Sequence, residues 1–484
     1  MHHPPSIEPL ILLVSALILV GVAASRISLR AGVPALLLFL ATGMLAGSDG
    51  PGGIWFDNPS ATWSFGVVAL AILLFGGGLD TDPRHLRSVL GPGLTLATVG
   101  VAISAGAVGA FGVGVLGLSW AQGLLLGAIV SSTDAAAVFS TLRAANLGLR
   151  GHIRPLLELE SGSNDPTAIF LTSAFTALCL DPVLRPLPLV GGFILQMGLG
   201  LVLGVVGGKA LIWSINRAKL SPEGLYPVLA LAMAGVLYGG STLVGGNGYL
   251  AIYLAGVLLA GAEVVHKTAI VRFMDGLAWL MQIGLFVLLG LLVFPSQLPD
   301  VAGHGLLLTA FAMFVARPLA VLVSLTPFRV PLREQAMIAW VGLRGAVPIV
   351  LATFPMVAGV PGADRLFHLV FFVVAASVLV QGTTLPWVAR VLGVAVPVAS
   401  PGPALTAPSG SALLSLTAGP GVAGRQVVEL GLPRGALIVV VEREGALIVP
   451  PGGTVLQPGD ALKIMTAQGQ EDAVHAAVDA TRPA

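Results

Sequence analysis

Apolar runs of 16 to 28 residues, each closed by a short polar stretch, fill the chain from residue 10 to residue 392. A helix of about 20 apolar residues crosses a bilayer core, so each run is long enough to span. The pattern predicts thirteen spans: roughly 10–25, 32–48, 62–80, 92–116, 119–142, 153–178, 189–216, 226–244, 248–265, 273–294, 303–325, 334–358 and 367–391. From about 393 the character changes. VAVPVASPGPALTAPSGSA is a Pro/Ala/Ser/Gly linker, assigned to 393–411. Beyond it, Ala436–Val441 and Ala446–Val449 read as strands around a turn at Glu442–Gly445. Ala461–Met465 reads as a further strand, and Gln470–Asp479 as a closing helix. The expected fold is therefore an all-α polytopic membrane domain over 1–392, followed by a small α+β domain over 412–484.

Charge orients the spans. The loops after spans 1, 3, 5, 7, 9 and 11, with the end of span 13, carry Arg26, Arg30, Arg84, Arg87, Arg143, Arg150, Arg154, Arg217, Lys219, Lys267, Arg272, Arg329, Arg333 and Arg390. The opposite loops hold only Arg185 and Arg365. By the positive-inside rule the N-terminus is expected outside and the C-terminal domain in the cytoplasm, with the protein in the inner membrane. No A-x-A site follows the first apolar run, which reads as a retained helix.

Composition excludes several classes. Only 10% of residues are charged and mean hydropathy is +0.94, far from the quarter charged that a soluble surface needs. A net charge of +1 offers no polyanion surface, which excludes nucleic acid as a partner. One cysteine, Cys179, cannot form an intramolecular disulfide and reads as a small apolar residue. The eight histidines sit near termini or span ends, and no Cys/His cluster suggests a metal. Gly112, Gly114 and Gly117 formally match GxGxxG, but inside a span they point to helix packing.

Chemistry is concentrated in a few ionisable groups set inside spans: Asp134, Glu160, Asp165, Arg317 and Arg344. A charge at the bilayer centre costs about 2.5–3.5 kcal/mol on insertion scales, so each one needs a reason. Span 5 carries Ser131, Ser132, Thr133 and Asp134, hydroxyls and an acid where a helix can unwind and free carbonyls for a cation. In span 6, Glu160 and Asn164 share a helix face, as do Ser161 and Asp165. Asp165 lies about 16 Å from Arg154 along the helix, near the midplane. Asp, Ser and Asn provide hard oxygen ligands for Na⁺ or K⁺, and the Asp can also take a proton. Glu160 reads as one half of a buried ion pair, with Arg317 or Arg344 as the partner. Gly342, Gly345 and Pro348 break span 12 around Arg344. Spans 5 and 12 are seven apart, an odd offset, as inverted repeats with two crossing broken helices require.

Thr133-Asp134, ESGSNDP at 160–166 and GLRGAVPIVLATFP at 342–355 resemble the monovalent cation/proton antiporters of the NhaP type, and the tail resembles a TrkA-C (RCK C-terminal) domain. The combination is most similar to the potassium/proton branch. The resemblance implies a thirteen-helix homodimer with a dimerisation domain and a moving core of spans 4–6 and 11–13. It implies cation and proton competing for Asp165, assisted by Asp134, the Thr133 carbonyl and Ser161, with Asn164 beside them. Members with Asn-Asp are generally regarded as electroneutral. No cofactor is expected beyond the transported ions, and membrane lipid is the expected surroundings. The tail is expected to take a small ligand or ion. One departure stands out: where relatives carry an acid in LF(D/E)GGL, this chain has Gly76. Exchange of K⁺, or alternatively Na⁺, for H⁺ by alternating access is the expected function. A cation channel lacks carbonyl-ring motifs. An intramembrane aspartyl protease would need Asp134 and Asp165 in YD or GxGD settings, which are absent.

Overall fold

The structure, a computed structural model, describes residues 8–31, 34–181, 186–397, 411–419, 421–443, 446–467 and 469–479. Arg185, most of the expected linker and the Gly445 end of the expected turn lie outside them. Two compact units result, Met1–Val396 and Pro397–Ala484.

The first unit is helical. Its elements begin with α1 (Glu8–Ala31), α2 (Ala35–Ala46), α3 (Pro59–Asp80) and the short α4 (Pro83–Leu86). α5 (Leu90–Thr95) and α6 (Val101–Leu116) are joined through a π-helical turn, Leu96–Gly100. α7 (Trp120–Ser131) and α8 (Ala135–Ala144) form a broken pair, and then come α9 (Ile153–Leu180), α10 (Pro186–Arg217), α11 (Leu225–Leu243), α12 (Gly248–Gly261) and α13 (Lys267–Leu292). α14 (Leu298–Phe311) and α15 (Arg317–Leu325) are again joined by a π turn, Ala312–Ala316. α16 (Leu332–Trp340) and α17 (Ala346–Val357) form the second broken pair, before α18 (Ala363–Val391). Eight helical stretches among the described residues are long and apolar enough to cross a membrane, and four shorter apolar helices accompany them.

Local chemistry sets several starts. The Asn58 side chain caps α3 by accepting from the Ala61 N–H (2.9 Å), and Ser119 with Gln122 forms a capping box on α7. Close approach is bought with glycine. A Cβ on Gly127 would stand 2.1 Å from the Ala105 carbonyl oxygen, and one on Gly78 would stand 2.4 Å from that of Tyr253. Backbones therefore touch at α6–α7 and α3–α12, as small residues allow in lipid. Within the GxGxxG match, Gly112 packs near Gly123, Gly114 faces open space and Gly117 turns the α6 C-cap at φ +69°. These are packing and capping roles. Burial ranks the helices: 72% of the apolar window of α7–α8 is buried against 11% for α10, which puts the first broken pair at the centre and α10 at the periphery.

Two short strands add to the expected elements. β1 (Leu147–Leu149) follows α8 and pairs with β2 (Ala395–Pro397), and the Arg150 N–H donates to the Val394 carbonyl (2.9 Å).

The second unit is a four-stranded antiparallel sheet of β3 (Ser411–Thr417), β4 (Leu437–Arg443), β5 (Ala446–Ile448) and β6 (Ala461–Ala467), in the order β3-β6-β4-β5. α19 (Glu471–Asp479) packs on it through Val474 and Val478, against Leu462 and Ile464. β3 is an addition to the expected elements. Its strand alternation is short and directly follows a run of Pro, Ala and Ser that reads as linker. Arg443 donates to both carboxylate oxygens of buried Asp460 (2.9 and 2.7 Å) and holds that carboxyl below the usual carboxylate range.

Candidate functional site

The two broken pairs meet at their breaks. Ser132–Asp134 interrupts the first and Val341–Gly345 the second. The Asp134 N–H donates to the Leu343 carbonyl (2.8 Å), and a Cβ on Gly345 would stand 2.1 Å from Asp134 Oδ2. Only glycine fits there. Asp134 also caps α8, accepting from the Ala137 N–H (3.0 Å), so its carboxylate lies at the positive end of a half-helix.

α9 supplies the rest. Asp165 is 5% exposed and accepts from Ser132 Oγ (2.5 Å). No cationic side chain pairs with it among the described residues. Asn164 Nδ2 donates to Thr133 Oγ1 (2.7 Å), while Asn164 Oδ1 is buried without a hydrogen-bond partner. Ser161 Oγ donates to the Thr133 carbonyl (3.1 Å) and accepts from the Ala135 N–H (3.2 Å). Asp165, Asp134, Thr133, Ser161 and Asn164 thus converge, with Ser132 as an addition. In the sequence, four consecutive polar residues offer no basis for telling which hydroxyl points at α9.

Hard oxygens predominate in this cluster: two carboxylates, three hydroxyls, the Thr133 carbonyl and the unmet Asn164 Oδ1. Such a set suits a hard monovalent cation, and either carboxylate can hold a proton. No group of three or more His, Cys, Asp or Glu side chains able to hold a resident metal occurs among the described residues.

One turn away, Glu160 is 1% exposed and receives both terminal nitrogens of Arg317, the second at 2.9 Å. Of the two candidate partners, then, Arg317 takes the carboxylate. Arg344 does something else: it is 2% exposed and donates through Nε to the Val130 carbonyl (3.2 Å) and through Nη1 to the Gly342 carbonyl (2.5 Å). It therefore supplies positive charge to the C-terminal end of one half-helix and to the second break, where carbonyls lack helical partners. Its backbone N–H donates to Ser377 Oγ (3.2 Å), which in turn donates to Gln381 Oε1 (2.5 Å).

Gly76 is half-buried, and a Cβ there meets nothing within 4 Å. The acid found in the related pattern is thus replaced by open space, with no other side chain filling it. A further charge inside a span is Lys209, exposed on α10 two turns before Arg217, which stacks over Trp213.

The sodium/hydrogen exchanger transmembrane family profile matches residues 13–391, and the TrkA-C domain profile matches 412–478. The chain is 43% identical to the K⁺/H⁺ antiporter NhaP2 of Shewanella sp. (strain MR-4), over 97% of this chain and 83% of that one. It is also 43% identical to the K⁺/H⁺ antiporter NhaP of Alkalimonas amylolytica, over 82% of this chain and 69% of that one. The structure of the sodium proton antiporter MjNhaP1 from Methanocaldococcus jannaschii at pH 8 shares the fold, with a TM-score of 0.70 and 24% identity over 80% of this chain and 99% of that one.

Proposed function

The chain belongs to the sodium/hydrogen exchanger family, and from that premise we propose that it exchanges K⁺ for H⁺ across the cytoplasmic membrane, with Asp165 as the shared site. The observation that carries this reading is that Asp165 is buried at the meeting of two broken helices with a neutral hydroxyl as its donor and, among the described residues, no cationic side chain paired to it. A bare buried carboxylate is costly, so the site favours occupancy by one ion or the other. A proton neutralises it directly. A K⁺ ion would use Asp165, Asp134, the Thr133 carbonyl and hydroxyls of Ser161 and Ser132, with Asn164 Oδ1 as a further acceptor. Because both ions compete for one carboxylate, only an occupied site crosses between the faces at low cost, which couples the two flows. If Asp165 alone changes its proton during the cycle, one cation exchanges for one proton.

Glu160 and Arg317 hold α9 to α15 throughout the cycle, and Arg344 fixes the crossing of the broken helices. The helix order and the distribution of Arg and Lys support a reading with thirteen crossings, an external N-terminus and a cytoplasmic C-terminal domain. A homodimer with a ligand- or ion-sensing tail completes the reading, the tail biasing the two facing states without carrying the ion.

Proteoliposomes holding a pH gradient test this directly, with K⁺, Na⁺, Rb⁺ and Li⁺ added in turn. K⁺ is expected to dissipate the gradient at the lowest concentration. Failure of every monovalent cation in a folded preparation would overturn the antiport reading, and a clear Na⁺ preference would replace K⁺ as the substrate.

A further inference from the structure

Eight residues, 145–152, join α8 to α9, and the ion site depends on both helices. Asp134 caps the first, while Glu160, Asn164 and Asp165 stand on the second. Left-handed backbone at Asn146 (φ +53°) and Gly151 (φ +67°) turns the chain sharply at each end of this connection, and β1 lies between the two turns. β1 packs on α8 and buries Leu149 in the main hydrophobic core. A connection this short needs no strand to close it. The strand exists because it has a partner, β2, brought from the far end of the unit.

β2 follows α18 with no slack. Past Val391 the chain is fixed by two hydrogen bonds, from the Gly393 N–H to the Arg390 carbonyl (3.0 Å) and from the Val394 N–H to the Ala389 carbonyl (3.1 Å). Val394 is buried in the same core as Leu149, and its carbonyl accepts from the Arg150 N–H. Ala395 and Val396 then close the first unit, so β2 is where the chain leaves it for the second. α18 also reaches the other break. Ser377 Oγ accepts from the Arg344 N–H (3.2 Å), and Gln381 Nε2 donates to the Trp340 carbonyl (2.8 Å), just before the break at Val341–Gly345. Gln381 stands about 15 Å along α18 from its end at Val391. The root of the tail is therefore joined to both breaks: through β1 to α8 and α9, and through α18 to the backbone around Arg344.

We propose that the β1–β2 pair is a strap through which the state of the C-terminal domain reaches the ion site, by holding the α8–α9 connection to the end of α18. The inference rests on the reading of the tail as a regulator and supplies its route. A domain on a slack tether has no means of favouring one arrangement of Asp134 over another. One whose root is hydrogen-bonded to the α8–α9 connection favours whichever arrangement that bonding fits, by as much as the fit differs between the two. The coupling is reciprocal, so a change in the tail also changes how firmly β1 is held.

A double-mutant cycle in the full chain, reconstituted in proteoliposomes holding a pH gradient, tests it. Leu462→Asp places a charge in the buried core of the second unit and so perturbs the tail alone. It is expected to change the initial rate of K⁺-driven gradient decay about threefold in the parent. Arg150→Ala keeps the backbone N–H that meets Val394, and in that background Leu462→Asp should have its full effect. Arg150→Pro removes that donor and Ala395→Pro a strand N–H; in either background Leu462→Asp should change the rate less than about 1.3-fold. Hydrogen exchange at residues 147–150 gives a second measure that needs no strap variant. Leu462→Asp is expected to speed it about tenfold. Equal effects of Leu462→Asp in all four backgrounds, or unchanged exchange at 147–150, would overturn the strap and leave antiport and tail regulation standing. No effect of Leu462→Asp on the parent's rate would overturn the regulatory reading on which the strap rests. A parent without K⁺-driven decay would overturn the antiport reading first.

Discussion

Glu160 and Asp165 stand five residues apart on one helix, both buried, and they meet different partners. Glu160 is clamped by the two terminal nitrogens of Arg317, whereas Asp165 is met by the Ser132 hydroxyl. A carboxylate locked to a buried guanidinium has no capacity left for a travelling ion, and releasing it would strand a charge on each side. A carboxylate held by neutral donors can exchange its partner at each turn of a cycle. The same chemical group thus serves as rivet or as carrier, depending on whether a cation is built into the protein beside it.

Removing the carrier should have the largest effect. Asp165→Asn is expected to abolish K⁺-driven dissipation of a pH gradient while leaving thermal stability and insertion intact, and Asp134→Asn to be nearly as damaging. Substantial residual exchange in Asp165→Asn would erase the distinction between the two carboxylates.

Breaking the rivet should produce the complementary pattern. Glu160→Gln is expected to cost about 3–5 kcal/mol of stability, because it leaves Arg317 buried without its counter-charge. Glu160→Gln combined with Arg317→Gln is expected to recover a large part of that loss in thermal unfolding, and Glu160→Gln with Arg344→Gln to recover none. Recovery by the second pair instead would reassign the partner.

That choice between two arginines shows where sequence reasoning stopped. Long apolar runs, the polar breaks at Ser132–Asp134 and Gly342–Gly345, and the Glu160/Asp165 spacing along α9 were all legible, because each depends on neighbours in the chain. Partnership across helices was not. Whether Arg317 or Arg344 reaches Glu160 depends on helix rotation about the axis, and the π turn at Ala312–Ala316 just before Arg317 changes that rotation without any residue type announcing it. Ser132 was hidden for a related reason, since the backbone at the break decides which of several hydroxyls faces α9. β3 was obscured by the low-complexity stretch before it.

A finer perturbation asks how much the neutral donor contributes to the carrier. Ser132→Ala is expected to raise the apparent KM for K⁺ a few-fold, with a smaller change in Vmax, because one hydroxyl is lost and both charges remain. Initial rates across a K⁺ series check it. An unchanged KM would remove Ser132 from the site.

The smallest effect is expected in the second unit, where a second rivet, Arg443–Asp460, makes stability depend on pH. Arg443 holds the Asp460 carboxyl below its ordinary value near 3.9. The folded state therefore binds this proton less readily than the unfolded chain does. Its stabilisation is complete above the ordinary carboxylate value and is lost as pH falls through the lower folded value. Asp460→Asn is expected to cost the tail about 1–2 kcal/mol at pH 7, allowing for the partial exposure of Arg443. The cost should shrink as the medium is acidified below pH 4. Hydrogen exchange of the β6 amides in the full chain measures both.

The two π turns have a bearing on how this chain can change length. Leu96–Gly100 and Ala312–Ala316 lie in helical stretches seven spans apart in the predicted order, the same offset that relates the two breaks. Each α-helical residue advances the azimuth by about 100°, so one residue accommodated as a π turn leaves everything after it rotated by roughly that amount relative to a plain α-helix. Arg317 is the first residue after the second turn. Its aim at Glu160 is set by the number of residues before it as much as by its own identity. The pair is therefore more sensitive to a one-residue insertion or deletion in this stretch than to many substitutions: excising one apolar residue from 312–316 would turn the guanidinium away while every charged residue of the site remained in the sequence.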